Sequence, residues 1–275
     1  MRFLYVILIF IIALSGCVEQ TIFSNQLSVD VNYPKKVLPS YDFSVEVEIT
    51  NNFNKDIKNV NVGFENLGLL NFKKIEECDG YIHGKSCFFN TLYSGESKKV
   101  TFLVQMPEST YIYRSSKINA QISVTFDFED QKILTLPILG KEYKGEKIMR
   151  EDNTNGPLRV NLNINLGENE RSYVKSGDIF ILSVDFPNSE NIVIEKNNFS
   201  IKLNGFKVYE NDKNCDFEGY NILKPKNDIE LPLNSPLICV IRADILKDQT
   251  SWIDGKIIVD YKYNYKIEKN LIIND

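Results

Sequence analysis

Hydrophobic and polar residues alternate with a period of two along most of the chain. The segments "FSVEVEIT" (43–50), "INAQISVTFDF" (118–128), "LRVNLNINL" (158–166) and "GKIIVDYKY" (255–263) all show this pattern. Strict alternation predicts strands that are buried on one face and solvated on the other. Because helical periodicity is nearly absent and turn residues separate the strands, the sequence predicts an all-β fold, either a sandwich or a barrel.

The strand pattern occurs twice along the chain. Residues 39–52 match residues 175–189 at an offset of 137, and residues 119–128 match residues 254–263 at an offset of 135. Between the halves, residues 141–156 are polar and charged and end at an Asn-Gly-Pro breaker, which is typical of a linker. The sequence therefore predicts two tandem β-sandwich domains, 27–140 and 157–275, joined by that linker.

The first half carries a recognisable order of turns and strands. "VEVEITNNFNKDIKNVNVGF" (45–64) is a strand, a polar turn and a second strand, and "LYSGESKKVTFLVQMPE" (92–108) is a Ser-Gly turn followed by a strand that ends at a proline. This order resembles that of the CARDB-type immunoglobulin-like domains of bacterial and archaeal surface proteins. The resemblance covers about half of the first domain, and residues 223–233 of the second domain lack the glycine turn. It implies two immunoglobulin-like β-sandwiches with an extracellular spacer or adhesion role, and it supplies no catalytic residues.

The N-terminus has the features of an export signal. Residues 3–14 are apolar and follow Arg2, a run that is short for a membrane-spanning helix but normal for a secretory signal. Leu14-Ser15-Gly16-Cys17 resembles the lipobox of prokaryotic lipoproteins, which implies cleavage before Cys17 and acylation of its thiol. We therefore expect a signal peptide (1–16), a tether (17–26) and a lipid anchor in the cell membrane, on its extracytoplasmic face. The alternatives are an ordinary signal peptide cut nearby and an uncleaved short anchor with a free thiol.

Four cysteines remain when Cys17 is set aside. An even number of cysteines in an exported chain predicts two disulfides. Of the three connectivities, the division into halves favours Cys78–Cys87 and Cys215–Cys239. The alternative is four structural or reactive thiols.

Charge and histidine content argue against several classes of function. The chain has 275 residues and a net charge of −5, whereas nucleic-acid binders carry a basic face. His83 is the single histidine, so a two-histidine metal site is excluded and a Ser-His-Asp triad would need His83 as its base. A zinc site of Cys78, His83 and Cys87 is an alternative to the disulfide loop. We expect no catalytic activity, no cofactor and no nucleic-acid partner.

Two short motifs could carry a ligand or a modification. Asp212, Asn214, Asp216 and Glu218 alternate like the first four ligands of a calcium loop, but the glycine and the final glutamate of such a loop are missing. An acidic, solvated turn is the favoured interpretation, with no metal. Asn198 begins the sequon Asn-Phe-Ser, which is a glycosylation site if the host modifies its surface proteins.

Alternating tyrosines leave two hypotheses about function open. Tyr111 with Tyr113, and Tyr261 with Tyr263 and Tyr265, would each lie on one face of a strand, either as core residues or as a platform for a carbohydrate. The leading hypothesis is a lipid-anchored cell-surface protein with a structural or interaction role and a protein partner. The alternative is a lipoprotein that binds a carbohydrate or peptide and serves a transporter, which would need a cleft between the domains.

Overall fold

The computed structural model describes residues 27–108, 117–152, 156–165, 172–187, 189, 192–209 and 214–274. These residues form antiparallel sheets almost throughout, which confirms the predicted all-β class. A single 3-10 turn, Lys196–Asn198, interrupts the strands of the described ranges. The predicted signal peptide and tether lie outside the described residues. Within the ranges above, no helix has the length and apolar character needed to cross a membrane.

Twenty strands follow one another in the described part of the chain. The first half contains β1 (Leu27–Asn32), β2 (Asp42–Asn51), β3 (Ile57–Asn66), β4 (Asn71–Cys78), β5 (Tyr81–His83), β6 (Ser86–Leu92), β7 (Ser97–Gln105) and β8 (Ile118–Leu139). The connection and the second half contain β9 (Arg150–Asp152), β10 (Asn161–Asn165), β11 (Val174–Lys175), β12 (Ile179–Asp185), β13 (Val193–Ile194), β14 (Phe199–Asn204), β15 (Phe206–Val208), β16 (Phe217–Glu218), β17 (Ile222–Pro225), β18 (Ile229–Glu230), β19 (Leu237–Ala243) and β20 (Trp252–Ile273).

The two halves repeat one strand order. One four-stranded sheet runs β1-β2-β7-β4 and the other runs β10-β12-β19-β15. A ten-stranded sheet contains β8-β3-β6-β5 from the first half and β20-β14-β17-β16 from the second. The buried faces of these sheets form one hydrophobic cluster. An internal repeat is thus present in the topology as well as in the sequence pattern.

The halves share hydrogen-bonded strands as well as a linker. β8 and β20 pair antiparallel along all 22 residues of each, from Ile118 opposite Ile273 to Leu139 opposite Trp252. The end of β20 returns to the first half, where the Asn274 N–H donates to the Lys35 carbonyl oxygen at 2.9 Å. The alternation predicted strands here but did not predict that they join the halves into one sheet.

Part of the predicted linker packs on this shared sheet. Arg150–Asp152 forms β9, which pairs with β8. Glu151 forms a 2.8 Å ion pair with Lys132, whose side chain is only 5% exposed. The Lys147 ammonium lies 3.7 Å from the centre of the Trp252 ring. These contacts hold described residues of the connecting segment against both long strands.

Both predicted disulfides are present. Cys78–Cys87 joins the end of β4 to β6, and Cys215–Cys239 joins the residue two before β16 to β19. Cys78–Cys87 therefore connects the two sheets of the first half, and Cys215–Cys239 connects β19 to the segment that leads into β16.

Candidate functional site

A polar groove lies where β8 and β20 pass from one half to the other. It has a volume of about 490 Å³. β8 contributes residues 129–131, β20 contributes residues 260–262, and the 3-10 turn with the start of β14 contributes residues 197–200. Lys55, from the turn between β2 and β3, closes one side. The middle of the shared sheet is thus the place where both halves contribute side chains to one concave surface.

Asp130 forms the buried floor of this groove. Its side chain is 2% exposed and forms an ion pair with the Lys55 ammonium. Its Oδ1 also accepts the Gln131 backbone N–H at 2.8 Å. Because a buried carboxylate is costly unless it is paired, these contacts account for its presence in the core.

Two tyrosines connect this floor to the segment that follows the linker. The Tyr261 hydroxyl lies 3.4 Å from Asp130 Oδ2 and 3.2 Å from the Leu158 carbonyl oxygen, and its single proton is donated to one of them at a time. The Leu158 N–H donates to the Tyr263 hydroxyl oxygen at 3.0 Å. Burial raises the pKa of Tyr263 far above its ordinary value, so this hydroxyl stays neutral. Both side chains therefore anchor the backbone at Leu158.

The tyrosines of β20, which the sequence left open as core residues or as a platform, are mostly part of the core. Tyr261 and Tyr263 are each 2% exposed, and Tyr265 is half-buried. The Tyr263 and Tyr265 rings pack 5.9 Å and 5.6 Å from Phe128 and Phe126. Tyr111 and Tyr113 lie outside the described residues. Tyr261 therefore lines the groove with a side chain that is almost fully buried, while Tyr263 and Tyr265 pack against the core.

His83 is exposed on the short strand β5. Its ring lies 6.0 Å from that of Phe88. Cys78 and Cys87 are bonded to each other, so neither thiolate is available for the zinc site considered above. The described ranges contain no group of three or more His, Cys, Asp or Glu side chains placed to hold a metal ion.

The acidic turn and the sequon have separate surroundings. Asp212 lies outside the described residues. Asn214 lies in the turn that precedes β16. Asp216 Oδ2 accepts the Ile238 N–H at 2.7 Å, so this carboxylate ties the turn to β19, and Glu218 lies in β16.

Asn198, the first residue of the sequon, ends the 3-10 turn, is half-buried and lines the groove. Its side chain amide lies 3.4 Å from Glu195 Oε2.

The solvent face of the sheet β10-β12-β19-β15 carries exposed isoleucines among its polar residues. Ile179 and Ile181 of β12 are 49% and 41% exposed, and Ile238 of β19 is 40% exposed. Ile181 lies opposite Val240, so the apolar side chains are adjacent across the two strands. Contiguous exposed apolar side chains are typical of an interaction surface. The sequence signal is the unbroken apolar run 179–182, because a strand that is apolar on both faces loses its alternation. Sequence reasoning missed this surface.

Comparison with known proteins leaves the family open. No protein-family model matches the chain, and no curated protein matches it. Among solved structures it matches the secreted serine protease VesC from Vibrio cholerae, with 15% identity and a TM-score of 0.23. The match covers 94% of this chain and 53% of the protease, so the chain spans about half the length of that protein.

This structural match corrects one expectation. The sequence predicted that the chain has no catalytic activity, whereas the matched protein is a protease, so that prediction is contradicted and is withdrawn. A TM-score of 0.23 carries no argument for a protease reaction in this chain.

Proposed function

We propose that this protein is a lipid-anchored protein of the extracytoplasmic membrane face, built from two immunoglobulin-like sandwiches, and that it acts by binding another protein. The lipobox-like residues Leu14–Cys17 support the anchor. Two acyl chains hold a protein at a membrane far more firmly than one, which suits a stable surface position.

The observation that carries the interaction role is the apolar surface formed by Ile179, Ile181 and Ile238. Each of these side chains keeps at least 40% of its surface in solvent. Fully burying an isoleucine contributes roughly 1.5–3 kcal/mol, so covering three half-exposed ones provides a few kcal/mol of binding energy. A protein partner with a complementary apolar surface would be stabilised by that burial.

A photo-crosslinking amino acid at Ile181 tests this role directly. The matched control is Ser44, which lies on β2 at the equivalent position of the first half. We expect a specific protein adduct from position 181 in intact cells and none from position 44. Equal labelling at both positions, or none at either, would overturn the proposed interaction surface.

The anchor has its own test. We expect Cys17→Ser to release the protein from the membrane fraction, and mass spectrometry of the wild-type N-terminus to show an acylated Cys17. An unmodified Cys17, or a retained residue 1–16 segment, would contradict the anchor.

The groove favours a second candidate function, binding of a carbohydrate or peptide. Its side chains include the amides of Gln131, Asn197 and Asn198 and the hydroxyl of Ser200, which suit a ligand rich in hydroxyl groups. Asn198 cannot both carry a glycan and leave the groove open, so glycosylation and ligand binding at this place exclude each other. Glycopeptide mass spectrometry decides between them: a fully occupied Asn198 would contradict the ligand site.

A further inference from the structure

The solvent face of the sheet β10-β12-β19-β15 has two cations at one end. Arg242 of β19 lies opposite Ile179 of β12 on one side and opposite Lys207 of β15 on the other. Directly opposed residues of antiparallel strands point to the same face of the sheet. The next residues on these strands, Phe206 and Ala243, are buried, so the row points to solvent. A guanidinium and an ammonium therefore lie side by side next to an exposed isoleucine.

This pair of cations is unfavourable for the chain by itself. Like charges directly opposite each other destabilise a sheet. Within the ranges that the structure describes, neither Lys207 nor Arg242 forms an ion pair, and Arg242 Nε is buried with no hydrogen-bond acceptor. Both residues are half-buried, and solvent screens such charges less than fully exposed ones. The described part of the chain thus supplies no counter-charge for them.

The acids that neighbour this row in the sequence do not supply one. Asp178 Oδ2 accepts a backbone N–H of its own turn at 2.9 Å. Asp244, just after β19, forms no ion pair with a described residue. Asp185 lies on the same face of β12 but six residues from Ile179, about 20 Å along the strand. None of these carboxylates pairs with the two cations.

The first half has no such pair at the equivalent positions. There the row consists of Asp42 of β2, Gln105 of β7 and Asn71 of β4. It contains one acid and two amides, and the Gln105 side chain donates to the Ser40 carbonyl oxygen at 3.1 Å. The same row of paired strands therefore forms in the first half without any cation.

We propose that Lys207 and Arg242 bind a carboxylate of the partner protein, beside the apolar surface of Ile179, Ile181 and Ile238. The partner would then present an acidic side chain flanked by apolar ones. A guanidinium offers a planar fork of N–H donors that matches a carboxylate, and the neighbouring ammonium adds a second positive charge. This inference rests on the protein-binding role proposed above and adds the chemistry of the partner.

An anionic membrane would offer the same sign of charge, but this face suits a protein better. Basic segments that bind anionic lipids typically contain about four to eight lysines and arginines, whereas this row has two. Asp185, on the same face, would be repelled by lipid phosphates. The observations therefore favour a carboxylate of a protein over a lipid head group.

Crosslinking from position 181 in intact cells tests the role of the charges. We expect the adduct to be lost when Lys207→Glu and Arg242→Glu are combined, because the row then repels a carboxylate. Lys73→Glu with Lys74→Glu is the matched control, since it makes the same change of charge on β4, which occupies the place of β15 in the first half. We expect this control to keep the adduct.

The outcomes of that experiment separate this inference from the proposed function. An adduct retained in the Lys207→Glu and Arg242→Glu variant, or lost equally in the control, would overturn the carboxylate site and leave the apolar surface as the binding site. No adduct in the parent chain would overturn the proposed function and the carboxylate site with it.

Defined peptides test the chemistry of the partner on the purified full-length chain. At low ionic strength we expect a labelled peptide with an Ile-Glu-Ile core to bind at least about tenfold more tightly than the same peptide with Gln, as measured by fluorescence anisotropy. Lys207→Gln with Arg242→Gln should remove this difference, whereas Ile181→Ser should weaken both peptides. Equal affinity for the two peptides, or no binding of either, would overturn the inference.

Vesicles of phosphatidylglycerol and of phosphatidylcholine test the lipid source of the charge. We expect Lys207→Gln with Arg242→Gln to bind both kinds of vesicle as the wild-type chain does. A loss of binding to phosphatidylglycerol alone would assign the pair to lipid head groups and overturn the proposal.

Thermal unfolding of the free chain separates a binding role from a structural one. Lys207→Met keeps an unbranched stem and removes the charge, so we expect it to unfold at the same temperature as wild type or a higher one, because a like-charge contact is lost. A clear decrease would show that a group of this chain pairs with Lys207 and would overturn the inference.

Discussion

The solvent faces of the two four-stranded sheets can be compared position by position, because β1-β2-β7-β4 and β10-β12-β19-β15 have the same order. In the first half, Lys99 lies between Glu46 and Glu77, at 3.3 and 3.8 Å. Asp42, Ser44 and Thr101 occupy the positions that Ile179, Ile181 and Ile238 occupy in the second half.

The buried faces of the same strands do not differ in this way. Phe43, Val45 and Val47 of β2 correspond to Phe180, Leu182 and Val184 of β12, and all six are buried. The interior face of these two strands is therefore apolar in both halves, whereas their outer faces differ.

The largest effect is expected from the one interior position at which the halves differ most. Phe102 of β7 is fully buried between Phe64 and Phe72, and the equivalent position in β19 is Cys239. We expect Phe102→Ala to lower the free energy of unfolding by about 3–5 kcal/mol, because it removes a large side chain from a closed core. Denaturant titration measures this loss, and Phe102→Leu should recover most of it.

The shared sheet also predicts where in the molecule the Phe102→Ala variant loses stability. Because β8 and β20 pair along their whole length, we expect Phe102→Ala to weaken amide-exchange protection in both halves together. Protection lost only in the first half would show that the halves unfold independently.

The next effect in size is expected from the disulfides. Removing each one should lower the free energy of unfolding, and the two losses should be similar. Cys215–Cys239 spans 24 residues in sequence and Cys78–Cys87 spans nine. Loop-closure entropy predicts losses of about 3.5 and 2.7 kcal/mol when each pair is replaced by alanine. Denaturant midpoints of the two double variants check the order. A larger loss for Cys78→Ala with Cys87→Ala would contradict the dependence on loop length.

The alternation of residues predicted the strands well because burial of one face imposes a period of two. Residues 43–50 were assigned to a strand, and β2 runs Asp42–Asn51 with its predicted face buried. The cysteine count predicted both disulfides.

Alternation does not encode which strand lies beside which, so the pairing of β8 with β20 and the groove at its centre could not be predicted. Asp130 was also missed, because a buried charge looks like any other polar position in the sequence.

A smaller effect is expected when the outer faces are exchanged. Ile181→Ser removes an exposed apolar side chain, and Ser44→Ile adds one to the first half. Surface changes of this kind usually alter the free energy of unfolding by less than about 0.5 kcal/mol. We therefore expect nearly unchanged thermal unfolding, with weaker binding of a hydrophobic dye by Ile181→Ser and stronger binding by Ser44→Ile. A large loss of stability in Ile181→Ser would show that this side chain belongs to the core.

The smallest effect concerns the polar face of the shared sheet. Burial alone would raise the pKa of Asp127, but hydrogen bonds from Asn59 and Asn264, at 2.8 and 3.1 Å, and the Lys262 charge hold it below its ordinary value of 3.8. A carboxyl with a lowered folded-state pKa stabilises the fold above its unfolded-state pKa. That contribution is lost as the pH falls through the folded-state pKa, below about pH 4.

Asn264→Ala tests this contribution because it removes one of the donors to Asp127. We expect the pKa of Asp127 to rise towards its ordinary value, so that the variant is less stable than wild type at neutral pH and the difference shrinks as the pH falls below about 4. Urea midpoints across the acid range measure the difference. Asn270→Ala, on the same exposed face of β20, is the matched control and should give a constant offset. A constant offset for Asn264→Ala as well would show that its amide contributes to stability independently of the Asp127 charge.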